Sequence, residues 1–429
     1  MDIYNSYGFI IAACLIIIIS YFFNKIAIRT SIPSVLLLII LGIGLNQLNR
    51  LFSFVPDLNL MPILEVLGIV GLIMIVLEAS LELKLGKAKI GVIWRSLVIA
   101  LILLGLNIFV IAWVIKALWS LDWYIASLYA IPLSIISSAI IIPSVQMLPE
   151  KKKEFLIYES TFSDILGIMI FYFVIQAGEE SGQSLAWSIT GSILLTIAVS
   201  IVAGYGLLFL FQKIQGGTKL FLLIAVLVLL YSAGKLFHLS SLLLILVFGL
   251  ILSNSDIFTG GKLRRYFDQE AIKKIYSDFL LITVESSFIV RTFFFLVFGL
   301  TITLGAIADS KVVLASLIIL VLIFLSRYFL LTMFFKKSAY PQWQIAPRGL
   351  ITILLFFGIP EEYHIEDFAS FEGVLLLVII VSSGVMAWSM ISFKKRRQNP
   401  DDLDLEIETI EDNESIEKLN DISEGEDTE

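Results

Sequence analysis

Long apolar runs alternate with short polar breaks along almost the whole chain. A helix that spans a bilayer needs about 20 mostly apolar residues. Runs of roughly that kind fall at 5–24, 32–48, 62–83, 91–119, 123–147, 154–177, 185–211, 219–237, 240–258, 275–305, 311–335, 340–360 and 371–393, thirteen in all. The pattern predicts an all-α polytopic membrane protein. The first run lacks a basic leading region and a small-residue cleavage site, so it is expected to be a retained helix. Residues 399–429 are dense in Asp and Glu and hold no aromatic residue. They are expected to form an acidic cytosolic tail, disordered or marginally helical.

Charge in the connecting loops orders the spans. Basic residues crowd every second loop: Lys25 and Arg29; Lys84, Lys87 and Lys89; Lys151, Lys152 and Lys153; Lys213 and Lys219; Lys262, Arg264, Arg265, Lys273 and Lys274; Lys336 and Lys337. After the last span come Lys394, Lys395, Arg396 and Arg397, whereas the other loops hold one base (Arg50, Lys116, Lys235 or Lys311) or none. Lys/Arg-rich loops stay in the cytoplasm. That puts the N-terminus outside and the C-terminus inside, in a plasma or inner membrane.

Composition agrees. The chain is 58% hydrophobic and 16% charged, with a mean hydropathy of +0.95, against about 45–50% and 25% in soluble domains. The formal net charge of −7 traces to the tail and gives no hint of a nucleic-acid partner. Cys14 is the lone cysteine and the two histidines, His238 and His364, fall in short loops. A disulfide framework, a His-built metal site and a cofactor are therefore not expected.

Against that apolar background, buried charges stand out. A charge at the bilayer centre costs at least about 2.5–3.5 kcal/mol on insertion scales, so such residues are functional candidates. They are Glu78, Glu159, Asp164, Glu285, Arg291, Arg327 and Arg348. The structural alternative for each is an ion pair that fixes helix register. The densest case is YESTFSDILGIMIFYF, 158–173. Asp164 lies ten residues into the span that begins at Glu154, about 15 Å along a helix and so near the bilayer midplane. Ser160 shares its face, whereas Glu159 points about 140° away. One face thus offers a hydroxyl and a carboxylate, hard oxygen ligands for a small cation. The other offers a carboxylate in need of a base, for which Arg327 is the expected partner. Glu285 and Arg291, six residues apart, lie on different faces and are expected to pair across helices. Gly167 leaves room for a close neighbour.

Two runs look breakable. IPLSIISSAIIIPSVQ carries Pro132, Ser137, Ser138 and Pro143, and YPQWQIAPRGLITI carries Pro347, Arg348 and Gly349. Proline inside a span frees backbone carbonyls. Interrupted helices in corresponding positions point to a transporter's binding site. The two runs are the fifth and twelfth, which predicts an inverted repeat of spans 1–6 and 8–13, linked by the seventh.

These residues resemble the monovalent cation/proton antiporter (CPA) superfamily. Its electroneutral sodium/proton exchanger branch carries Glu-Ser-x-x-Asn-Asp on the sixth helix, and this chain reads Glu159-Ser160-Thr161-Phe162-Ser163-Asp164. SRYFLL around Arg327, APRGLI at 346–351, GIVGLIMIVLEASLEL at 68–83 and VRTFFFLVFGLTI at 290–302 are similar to further segments of the family. Ser163 departs from the family's Asn, and SSAIIIP replaces its Asp or Thr at the first crossing helix. The resemblance implies a homodimer of two-part protomers. The moving core would take about 91–177 and 311–393, and the dimerisation part about 5–83 and 219–305. It implies exchange of sodium, or lithium, for a proton. Asp164 would carry the ion, with Ser160, Ser163 and Glu78 as accessory ligands and hydroxyls from Ser137 and Ser138 at the crossing. Potassium/proton exchange and sodium-coupled symport of an organic solute remain open alternatives. A channel would need a continuous polar filter and an intramembrane enzyme a nucleophile–base pair, and the spans carry neither.

Overall fold

The computed structural model describes residues 6–30, 32–52, 61–86, 89–179, 198–210, 212, 219–236, 241–259, 265–301, 309–335, 339–365 and 367–397. Most of the expected seventh span, the basic residues Lys87, Lys213, Lys262, Arg264, Lys336 and Lys337, and the acidic tail lie outside the described residues. Within them the chain is helical and holds no strand.

The helices are α1 (Ser6–Thr30), α2 (Ser34–Phe52), α3 (Met61–Glu82), α4 (Ile90–Trp119), α5 (Trp123–Ser134), α6 (Ser138–Ser144) and α7 (Glu150–Glu179). After α8 (Ala198–Leu210) come α9 (Lys219–Leu236), α10 (Ser241–Ser253), α11 (Ser255–Phe258), α12 (Gln269–Thr301), α13 (Ser310–Phe335), α14 (Leu350–Phe357) and α15 (Phe368–Arg397). Seven helical segments among the described residues are long and apolar enough to cross a membrane, and three shorter apolar helices accompany them.

Local chemistry sets several ends. Asp268 accepts from the backbone N–H groups of Glu270 and Ala271, at 3.0 and 3.2 Å, at the start of α12. Asp309 accepts from the Lys311 N–H at 3.0 Å at the start of α13. Both carboxylates satisfy donors that the first helical turn leaves free. α4 stops where Ser120 turns left-handed, with φ 55°.

The helices pack in two groups. In one, α12 lies against α2 and α3, and α10 against α3 and α9. In the other, α4 lies against α5, α7 and α13, and α13 against α15. The short α14 touches both groups, through α3 and α5. The outer surface is apolar, with Ile102, Phe109 and Trp113 of α4 and Leu317, Val321 and Phe329 of α13 exposed. Polar groups sit inside, among them Glu159, Asp164, Arg327 and Arg348. That inside-out polarity suits a hydrocarbon surround.

The two breakable runs are both interrupted, at places that shift the expected boundaries. The fifth run breaks at 135–137, between its prolines, and Pro132 and Pro143 sit inside α5 and α6. A proline removes one amide, but it takes a partner for the freed carbonyls to open the helix outright. The twelfth run is non-helical over 345–349, between a single 3-10 turn at Gln342–Gln344 and α14. Pro347 disfavours the helical region for the residue before it.

Candidate ion-binding site

The two breaks cross each other, and the Ser137 N–H donates to the Pro347 carbonyl at 2.9 Å. Only a glycine allows so close a pass at 349. A Cβ there would lie 2.5 Å from the Ser137 Oγ. From the side, α7 closes in at Gly167, where a Cβ would come within 2.3 Å of the Ile135 side chain.

Breaking two helices leaves backbone groups without partners, and buried ones must find some. Arg348 serves the C-terminal end of α5. Its Nε donates to the Leu133 carbonyl at 2.9 Å and an Nη to the Ser134 carbonyl at 3.3 Å. The other Nη donates to the Ala346 carbonyl at 2.7 Å, and its backbone N–H reaches the Ser382 Oγ at 3.1 Å. Arg348 is fully buried and holds a fixed positive charge at the crossing.

The opposite side of the break belongs to α7. The Ile136 N–H donates to the Ser163 Oγ at 3.0 Å, and the Ser138 N–H to Asp164 Oδ2 at 3.0 Å. Asp164 is 3% exposed. Its Oδ1, together with the Oγ atoms of Ser137 and Ser138, is buried with no hydrogen-bond partner among the described residues. Ser160 spends its proton on the Leu156 and Ile157 carbonyls, at 2.8 and 3.1 Å. A carboxylate oxygen and two hydroxyls, all hard donors and all unspent, suit a small monovalent cation or a proton.

Behind Asp164, on the other face of α7, Glu159 meets Arg327. The two guanidinium nitrogens lie 2.5 and 2.8 Å from the two carboxylate oxygens. Arg327 Nε donates to the Gln342 carbonyl at 3.0 Å. Both side chains are 1% exposed or less.

A cavity of about 390 Å³ reaches Ser138 and Pro143 from between the two helix groups. Glu78, Glu82, Glu285 and Arg291 line it, with Ser20 and Asn24. Arg291 grips Glu78 with two bonds, at 3.0 and 3.3 Å. Glu285 makes no ion pair among the described residues and looks into the same space as Arg291.

Matched to known families, residues 11–392 fit the transmembrane sodium/hydrogen exchangers. The chain belongs to that family. As a member it is a multi-pass membrane protein built as a cation/proton antiporter. Among solved structures, the exchanger fold is shared with the sodium proton antiporter MjNhaP1 from Methanocaldococcus jannaschii at pH 8. The TM-score is 0.70, over 92% of this chain and 99% of that one, at 18% identity. An electron-microscopy map of the same antiporter gives 0.64, over 94% and 98%, at 17% identity. At such identities the likeness is one of fold. No curated protein matches this exchanger in sequence.

Sequence reasoning missed Ser382 and Glu82. Ser382 sits in an apolar run where nothing marks its role. Glu82 reads as the polar end of a span, and only the fold brings it to the cavity wall.

Proposed function

We propose that this exchanger moves sodium, or lithium, one for one against a proton, with Asp164 as the carrier. The observation that carries the reading is the set of unspent donors at the crossing: Asp164 Oδ1, Ser137 Oγ and Ser138 Oγ. Burial disfavours a lone carboxylate, so Asp164 holds either a cation or a proton and not both. Ser160 and Ser163 serve as accessory ligands through their lone pairs, and Glu78 stands on the ion path. Glu159 with Arg327, and Arg348 with the α5 carbonyls, keep the crossing rigid while the ion changes.

Alternating access supplies the rest. The core is α4–α7 with α13–α15, and it moves against a dimerisation part built from α1–α3 and α9–α12, in a homodimer. In this reading the chain has thirteen spans in an inverted repeat, and its Lys/Arg-rich loops put the N-terminus outside and the C-terminus in the cytoplasm. The cavity lies toward the C-terminal ends of α1, which carries Lys25, and of α3, which leads to Lys84; on this orientation it opens to the cytoplasm.

A single titrating acid at the crossing makes exchange electroneutral. Proteoliposomes given a potassium-diffusion potential and no pH gradient test this. Sodium uptake is expected to ignore the potential, and uptake driven by potential alone would refute one-for-one exchange.

A further inference from the structure

Among the described residues, two Arg–Glu pairs lie near the crossing, in different surroundings. Glu159–Arg327 is sealed, at 1% and 0% side-chain exposure with bonds of 2.5 and 2.8 Å. Glu78–Arg291 is largely buried but faces the cavity, at 11% and 19% exposure with bonds of 3.0 and 3.3 Å. Breaking a sealed pair strands a charge, whereas a pair on a cavity wall can exchange one partner for an incoming cation at lower cost. The Glu78–Arg291 pair also lies on the wall of the 390 Å³ cavity, whose lining includes Ser138. There the Ser138 N–H holds Asp164, and the Ser138 Oγ makes no hydrogen bond among the described residues.

We infer that Arg291 is a built-in competitor of the transported cation for Glu78, and so sets the affinity of the cavity-facing site. A sodium ion entering the cavity meets three carboxylates, Glu78, Glu82 and Glu285, and one guanidinium. Glu82 and Glu285 keep the space attractive to cations. Glu78 becomes a ligand on the way to Asp164 only as Arg291 lets go. The guanidinium thus weakens cation binding by occupying the oxygens that the cation would use. Such an internal counter-ion also lets the cation leave, which a transport site requires. The inference rests on the cation/proton reading above and adds a residue that governs it.

The test is a double-mutant cycle on the KM for sodium, in proteoliposomes at low ionic strength and fixed pH. Arg291→Gln is expected to lower the KM about fivefold, the scale of one partly exposed ion pair. In a Glu78→Gln background the same change is expected to do nothing, because its target is gone. An unchanged or raised KM in Arg291→Gln overturns the inference. So does an equal drop with and without Glu78, which marks a plain charge effect. Should Arg291→Gln fail to fold, Arg291→Lys keeps the charge but loses the two-pronged grip. It is expected to lower the KM by a smaller factor, and an unchanged value overturns the inference. Sodium-dependent thermal stabilisation of the purified protein gives a second readout, with the same ordering of variants. A wild type that neither transports sodium nor is stabilised by it overturns the proposed function, and this inference with it. Transport that needs Asp164 but ignores the cycle overturns the inference alone.

Discussion

Arg327 and Asp164 sit one on each side of α7's chemistry, and their substitutions are expected to fail differently. Arg327→Ala leaves Glu159 charged and buried, at about 3–5 kcal/mol. Lower folded yield and earlier thermal unfolding in detergent are the expected results. A variant that folds normally but transports nothing would instead assign Arg327 to the ion. A third residue reports on pH. Asp367 joins the ends of α4, α13 and α15: it accepts from Ser370 and from the Trp119 indole at 2.9 Å, and Lys311 lies 3.8 Å away. The Ser370 hydroxyl, then Trp119 and Lys311, hold its carboxyl below the usual carboxylate range. A depressed folded value stabilises above the unfolded value of about 3.9, and that stability is lost as pH falls. Asp367→Asn is therefore expected to lower the unfolding temperature near neutral pH, and the gap to wild type is expected to shrink as pH falls below the unfolded value of about 3.9. A gap between the two that persists in acid would contradict this. At this scale the sequence was legible where charge density was abnormal. Seven ionisable residues in apolar runs were visible as such. Their partners were readable only where spacing and depth were informative, as for Glu159. Glu78 and Arg291 meet across α3 and α12, a contact that no local pattern encodes.

Elements were legible in another way. Apolar length gave most helices to within a turn, since a bilayer leaves little freedom in length. The breaks were visible from Pro132, Pro143 and Pro347, but their positions were not. The first opening lies at 135–137 because Arg348, Pro347, Ser163 and Asp164 take up its backbone groups there. Those partners come from two other segments, the 345–349 break and α7. The close pass of Gly349 over Ser137 follows from that traffic. Gly349→Val is expected to force the crossing apart, because even a Cβ would stand 2.5 Å from the Ser137 Oγ. Helical content by circular dichroism should persist, since α14 begins one residue later, while transport is lost. Wild-type transport in this variant would mean that the crossing tolerates a wider gap than its geometry implies.

At the scale of the whole molecule, the apolar surface, the buried charges and the two crossed breaks belong to one design. Lipid supplies no hydrogen bonds, so irregular backbone survives only where protein partners or a cavity receive it. In this chain those partners also frame Asp164 Oδ1, Ser137 Oγ and Ser138 Oγ, which make no hydrogen bond among the described residues. The most direct test is dye-monitored proton flux in inside-out vesicles from an antiporter-deficient bacterium. Sodium, lithium and potassium pulses would be given to wild type and to Asp164→Asn. Collapse of the proton gradient by sodium or lithium in wild type, and not in the variant, is the expected result. Equal responses in both proteins would contradict the account and make Asp164 a structural residue.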